Sequence, residues 1–228
     1  MAQRSHAWLL LGLALLLLPA AGLAHDVAEG DKAFVHSING PAFIPFLYLG
    51  AKHMVTGIDH VFYLIGVVFF LRRLRDVVLY VSMFTIGHSA TLMGGVLLGT
   101  GANSHIVDAI IGLSVVYKGV ENMGGFSKIG FRFDPRLAVL GFGLAHGLGL
   151  ATKLQDLAVS RNGLLVNLVG FNLGVEVGQV LVLVVVVFLL NRWRRLASFE
   201  RTAFAANAAL VAAGLFLAGY QMKEYLAL

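Results

Sequence analysis

Apolar residues in this chain run in long unbroken blocks, and the charged residues gather between them. The blocks cover 46–71, 77–98, 105–122, 137–151, 164–190 and 202–220. None alternates with the period of two that a half-buried strand would show, so each predicts a helix. A hydrocarbon core of about 30 Å needs about 20 apolar residues of helix, and blocks of this size read as membrane spans. The pattern predicts an all-α, polytopic membrane protein with six transmembrane helices in a domain at 46–222.

Two shorter segments precede that domain. Arg4, an apolar run at 8–18, Pro19 and the small residues ending at Ala24 have the order of a signal peptide, expected at 1–24. Residues 25–45 are polar and broken by Gly and Pro, an extracytoplasmic lead-in. Cleavage after Ala24 would leave His25 as the terminal residue, and a terminal amine beside its own imidazole can chelate Cu(II) or Ni(II). A histidine that merely follows the cut is the plainer alternative.

Composition supports the same class. The chain is 58% hydrophobic and only 13% charged, with a mean hydropathy of +0.83, whereas a soluble domain carries about a quarter charged residues. Cysteine is absent, which excludes disulfides, thiolate metal sites and thiol redox chemistry. The net charge of +5 does not mark a nucleic-acid partner, because the basic residues form short clusters beside the apolar blocks.

Those clusters predict the orientation. Arg72, Arg73 and Arg75 follow the first block, Lys128, Arg132 and Arg136 the third, and Arg192, Arg194, Arg195 and Arg201 the fifth. The opposite side holds Lys32, Lys52, Lys153, Arg161 and Lys223. The positive-inside rule places the richer loops in the cytoplasm and both mature ends outside, in a bacterial-type inner membrane. Glycines at every fourth position, Gly170, Gly174 and Gly178, and also Gly143 and Gly147, predict helices whose backbones pack closely.

Ionisable groups within the blocks carry the chemistry. His53, Asp59 and His60 stand at the start of the first block, with His88 in the second, His146 in the fourth and Glu176 in the fifth. His53 and His60 are nearly two turns apart and share a face, while Asp59 points about 100° away. A break at Gly57 would let all three converge. Thr56, Thr85, Ser89, Asn172 and Gln179 add neutral polar groups at compatible depth, expected beside the site or along a path to it. Ionised side chains cost about 2.5–3.5 kcal/mol each in the membrane, which favours one shared metal or proton site for the histidines and carboxylates over separate helix contacts. Imidazole with carboxylate suits Ni(II), Co(II), Cu(II) or Zn(II). Lys118 and Glu121, three apart near the inner end of the third block, read as a structural ion pair or a gate element.

Thr56-Gly57-Ile58-Asp59-His60, Phe84-Thr85-Ile86-Gly87-His88-Ser89, Phe142 to Gly149 and Phe171 to Gln179 are four segments that together resemble the HupE/UreJ family of hydrogenase- and urease-associated membrane proteins. The first two are also similar to the nickel/cobalt permeases, which have a His, a spacer, Asp-His and a later Gly-His-Ser. Here five residues separate His53 from Asp59, where that larger family has four. The resemblance implies nickel or cobalt as the ion, and a metalloenzyme maturation system as a partner beside the lipid. The expected function is transport of a divalent transition metal, not enzyme catalysis. The alternatives are metal delivery to a membrane metalloenzyme and, further off, metal-dependent intramembrane hydrolysis.

Overall fold

The computed structural model describes residues 34–35, 37–130, 133–156 and 161–227. The expected signal peptide and His25 lie outside the described residues. Among the described residues every regular element is helical. The helices are α1 (Phe43–Thr56), α2 (Ile58–Val68), α3 (Leu74–Leu98), α4 (Ser104–Asn122), α5 (Pro135–Asp156), α6 (Leu164–Trp193) and α7 (Phe199–Leu226), with a four-residue helical turn at Gly125–Lys128. Four are long and apolar enough to cross a membrane: α3, α6 and α7 whole, and α5 over Pro135–Gln155.

The first apolar block is not one helix. Gly57, at φ −71° and ψ 100°, ends α1 and begins α2, and its N–H still donates to the His53 carbonyl at 2.8 Å. At 14 and 11 residues, α1 and α2 measure about 21 and 16 Å, each short of a bilayer core by itself. The 19-residue α4 carries Asp108, Lys118 and Glu121 within its length.

The helices pair as α1 with α6, α3 with α5 and α4 with α7, and α4 also lies against α2 and α5. Glycine sets the close approaches. A Cβ on Gly170 would stand 2.6 Å from the Phe43 carbonyl oxygen, and one on Gly178 would stand 2.7 Å from that of Ala51. Gly174 meets the Leu47 carbonyl more closely still, so one glycine stripe on α6 seats the whole length of α1. Gly143 and Gly147 do the same on α5, against the carbonyls of Phe84 and His88 on α3. Without a hydrophobic drive between helices in lipid, such backbone contact is what holds spans together.

Polar contacts fix the ends. Gly99, at φ +66°, closes α3 in the left-handed conformation, and the Asn103 side chain caps α4 by accepting from Ile106 N–H at 3.2 Å. The Asn167 amide pins the lead-in to α6, donating to the Gly40 carbonyl at 3.0 Å and accepting from Ala42 N–H at 2.6 Å. At the Arg-rich end the Arg194 guanidinium donates to the carbonyls of Val68 and Phe69, at 2.7 and 2.6 Å, satisfying the last turn of α2. Phe69, Trp193 and Phe199 pack edge-on and stacked around it, with centroids 5.2–6.0 Å apart.

Candidate metal centre

The break at Gly57 delivers three of the expected groups to one place. A Cβ on that residue would stand 2.8 Å from His60 Nδ1 and 2.9 Å from the His53 carbonyl oxygen, so only glycine leaves room for the turn. Asp59 Oδ1 accepts from His60 N–H and lies 2.9 Å from His60 Nδ1. With the ring proton on Nδ1, the carboxylate orients the imidazole and leaves the Nε2 lone pair available. Asp59 and His60 are both buried, at 5% and 4% exposure.

Three further imidazoles surround His60. Its ring centroid is 4.9 Å from that of His53, 4.9 Å from His146 and 6.4 Å from His88. His146 Nδ1 donates to the Phe142 carbonyl at 2.7 Å, one helical turn back, which again frees Nε2. Among the described residues, His53 Nε2, His60 Nε2, His146 Nε2 and both nitrogens of His88 are buried without a hydrogen-bond partner. Five unsatisfied nitrogens in one region are costly, since each buried polar atom left unpaired forfeits about 1–3 kcal/mol. A cation accepting lone pairs from these rings relieves that cost. The rings are gathered but not closed: among the described residues no three His, Asp or Glu side chains converge on one point at ligand distance.

The other expected residues divide. Thr85 on α3 donates to Gln179 Oε1 on α6 at 3.1 Å, and Ser89 donates to Asn172 Oδ1 at 3.1 Å. These two bonds bridge α3 and α6 where the helices otherwise barely touch, and Gln179 Nε2 is one more buried unpartnered atom. Thr56 turns away and donates to the Lys52 carbonyl of its own helix. Among the described residues, Glu176 makes no hydrogen bond or ion pair with the imidazoles. It is exposed, on the stripe of α6 between Asn172 and Gln179, beside the seam with α3. Lys118 and Glu121 form an ion pair toward the Arg-rich end, away from the cluster.

Aromatic residues complete the wall, and the polar pattern gave no hint of them. Phe84 stacks on His88 at 6.0 Å and meets His146 edge-on at 5.0 Å. Tyr63 packs against His146 at 5.5 Å, and Phe171 against His53 at 6.1 Å. Tyr63 lies one turn after His60 and Phe84 one turn before His88, the only cue that a sequence could give.

Comparison with known proteins gives one match. The family model described as HupE / UreJ protein covers residues 29–228. No curated protein and no solved structure matches the chain.

Proposed function

The chain belongs to the HupE/UreJ family, and from that premise we propose that it carries a divalent transition metal, nickel or cobalt, across the cytoplasmic membrane. The family points to a nickel/cobalt accessory membrane protein; transport is the specific reading argued from the site. The observation that carries it is the gathering of His53, His60, His88 and His146 with unpartnered ring nitrogens in a buried, aromatic-walled region. Neutral imidazoles suit borderline ions such as Ni(II) and Co(II). A pocket of rings not yet closed on one point also suits a cargo that must leave again, unlike a closed structural site.

In this reading six spans cross the membrane, with α1 and α2 together forming the first, and the basic loops face the cytoplasm. Asp59 supplies the negative charge that offsets the dication, acting through His60. Asn172, Ser89, Thr85 and Gln179 line the α3–α6 seam beside the imidazoles, and the exposed Glu176 offers a carboxylate along that seam to the cation. Movement of charge inward across a negative-inside potential yields about 2.3 kcal/mol per charge per 100 mV, and a dication gains twice as much.

Radiometal uptake into vesicles reconstituted with the full chain tests this reading. Uptake of Ni(II) or Co(II), abolished by His60→Ala, is the expected result. Should the unmodified protein take up neither ion while His60→Ala still abolishes metal loading of a partner enzyme, delivery replaces transport.

A further inference from the structure

A buried ion pair stands on the other side of the imidazoles, near the end of the bundle opposite the arginines. Asp108 lies on α4 four residues after Ser104, and Lys153 lies on α5 three residues before Asp156. The Lys153 ammonium donates to both carboxylate oxygens of Asp108, at 3.0 and 2.9 Å. The two helices do not need this contact to stay together. Val107 of α4 already packs into the place left by Gly149 of α5, where a Cβ would stand 2.9 Å from Val107 Cγ1. A buried ion pair is no aid to stability by itself, since apolar residues of similar size usually serve as well. Ionisable groups inside a span usually persist because something uses them.

The pair has a direction. The Asp108 side chain is 5% exposed and that of Lys153 is 22% exposed, so the lysine covers the carboxylate on its open side. Lys153 and His146, seven residues apart, share one face of α5. Gly149 lies between them and places no side chain there, and its Cβ position is 3.8 Å from Asp108 Oδ1. From the rim inward, that face therefore meets the lysine, then the carboxylate, then the backbone of His146 about 4.5 Å deeper than Gly149. The His146 ring leans further inward, toward Phe142. The carboxylate and the imidazoles are thus successive stations and not one set of ligands.

We propose that Asp108 is a separate oxygen-donor site for a divalent cation at the entrance to the imidazoles, with Lys153 as its resident counterion, displaced when a dication arrives. The proposal rests on the metal-carrying reading of the imidazole cluster. A carboxylate that holds an ammonium with both oxygens is already shaped for a cation, and a dication brings twice the charge to the same place. Carboxylate oxygens hold Ni(II) or Co(II) less firmly than imidazoles do, so the ion passes inward to the tighter ligands. The lysine has a long flexible stem and stands close to the helix end, so its charge moves into water while the ion passes. When the ion has moved on, the ammonium returns, and Asp108 is not left as an uncompensated buried charge.

Stopped-flow binding of Co(II) to the purified full-length protein, read from the absorbance of the ligated ion, tests the site without any need for transport. An ion pair that only joins α4 to α5 is broken alike from either partner, so Asp108→Asn and Lys153→Met would then act in the same direction. The proposal expects opposite directions. Asp108→Asn removes the station and should slow association about tenfold, whereas Lys153→Met removes the competing ammonium and should speed it about tenfold at low Co(II). In both, affinity at equilibrium should move less than the rate does, because the imidazoles are untouched. Asp108→Glu should restore association. Lys153→Gln keeps a hydrogen-bond donor to Asp108 without the charge and replaces the methionine variant if that variant does not fold. Lys223→Met, at the exposed end of α7, is the control for long-range attraction and should leave the rate unchanged. Comparable speeding in that control, or shifts in one direction from both pair variants, would overturn the site. An unmodified chain that binds no Co(II) is a distinct result, and it would overturn the metal reading of the imidazoles together with the entrance to them.

Discussion

At Asp59 one carboxylate oxygen serves both the backbone N–H and the ring of His60, and the geometry makes the aspartate the orienter of a ligand more than a ligand itself. Partners of this kind are worth about 10–100-fold in metal affinity where they have been removed from known sites. Asp59→Asn keeps an oxygen acceptor for His60 but removes the charge, so Co(II) affinity measured by titration should fall at least tenfold with little loss of folded protein. Glu224→Gln, at the exposed end of α7, is the matching control and should leave affinity unchanged. Much of this centre was legible residue by residue: His53, Asp59, His60, His88 and His146 are conspicuous because imidazole and carboxylate are expensive inside apolar blocks. Glu176 was equally conspicuous but is exposed where the imidazoles are mostly buried, and cost alone does not tell which way a side chain faces. Tyr63 escaped notice, and Phe84 was legible only as part of a motif and not as a wall of the site, for the opposite reason. An aromatic residue in an apolar block is ordinary, and only its neighbours give it a role.

The elements turn on glycine. The break at Gly57 was foreseeable, since it is the one glycine between His53 and the Asp59-His60 pair. Helical phase was not foreseeable for α6, whose surface is apolar nearly all round apart from one polar stripe and the glycines. A helix of that kind has no hydrophobic face to point inward, so its orientation comes from the partner that its glycines admit. Two substitutions separate packing from site. Gly174→Ala drives a methyl group into the Leu47 carbonyl and should destabilise the α1–α6 pair by about 1–3 kcal/mol, seen as a lower melting temperature. Gly57→Ala intrudes on His60 Nδ1 at the break and should weaken Co(II) binding more than it lowers melting temperature. If Gly57→Ala leaves binding intact, the break does not set the ligand geometry.

Over the whole molecule, the three helix pairs join segments distant in the chain, and the polar groups follow one direction through them. The imidazole cluster and the Lys118–Glu121 pair succeed one another toward the end that carries Arg72, Arg73 and Arg194, and the α3–α6 contacts lie level with the imidazoles, Ser89 next to His88 and Thr85 one turn nearer that end. That order has a functional meaning only if the basic end is cytoplasmic, so orientation is the premise on which inward transport depends. The absence of native cysteine makes it directly measurable, because a single introduced cysteine is the only thiol to label. Cysteine at position 73 or 194 should resist a membrane-impermeant maleimide in intact cells and react after lysis, while cysteine at position 103 should react from outside. All three sites flank or end helices at the rims of the bundle, so their reactivity reports side and not burial in the core. Outside labelling at position 73 would invert the path. The imidazoles would then be reached from the cytoplasm and the basic end would face outward. The membrane potential would then oppose passage from the imidazoles to that end, and the same side chains would describe export.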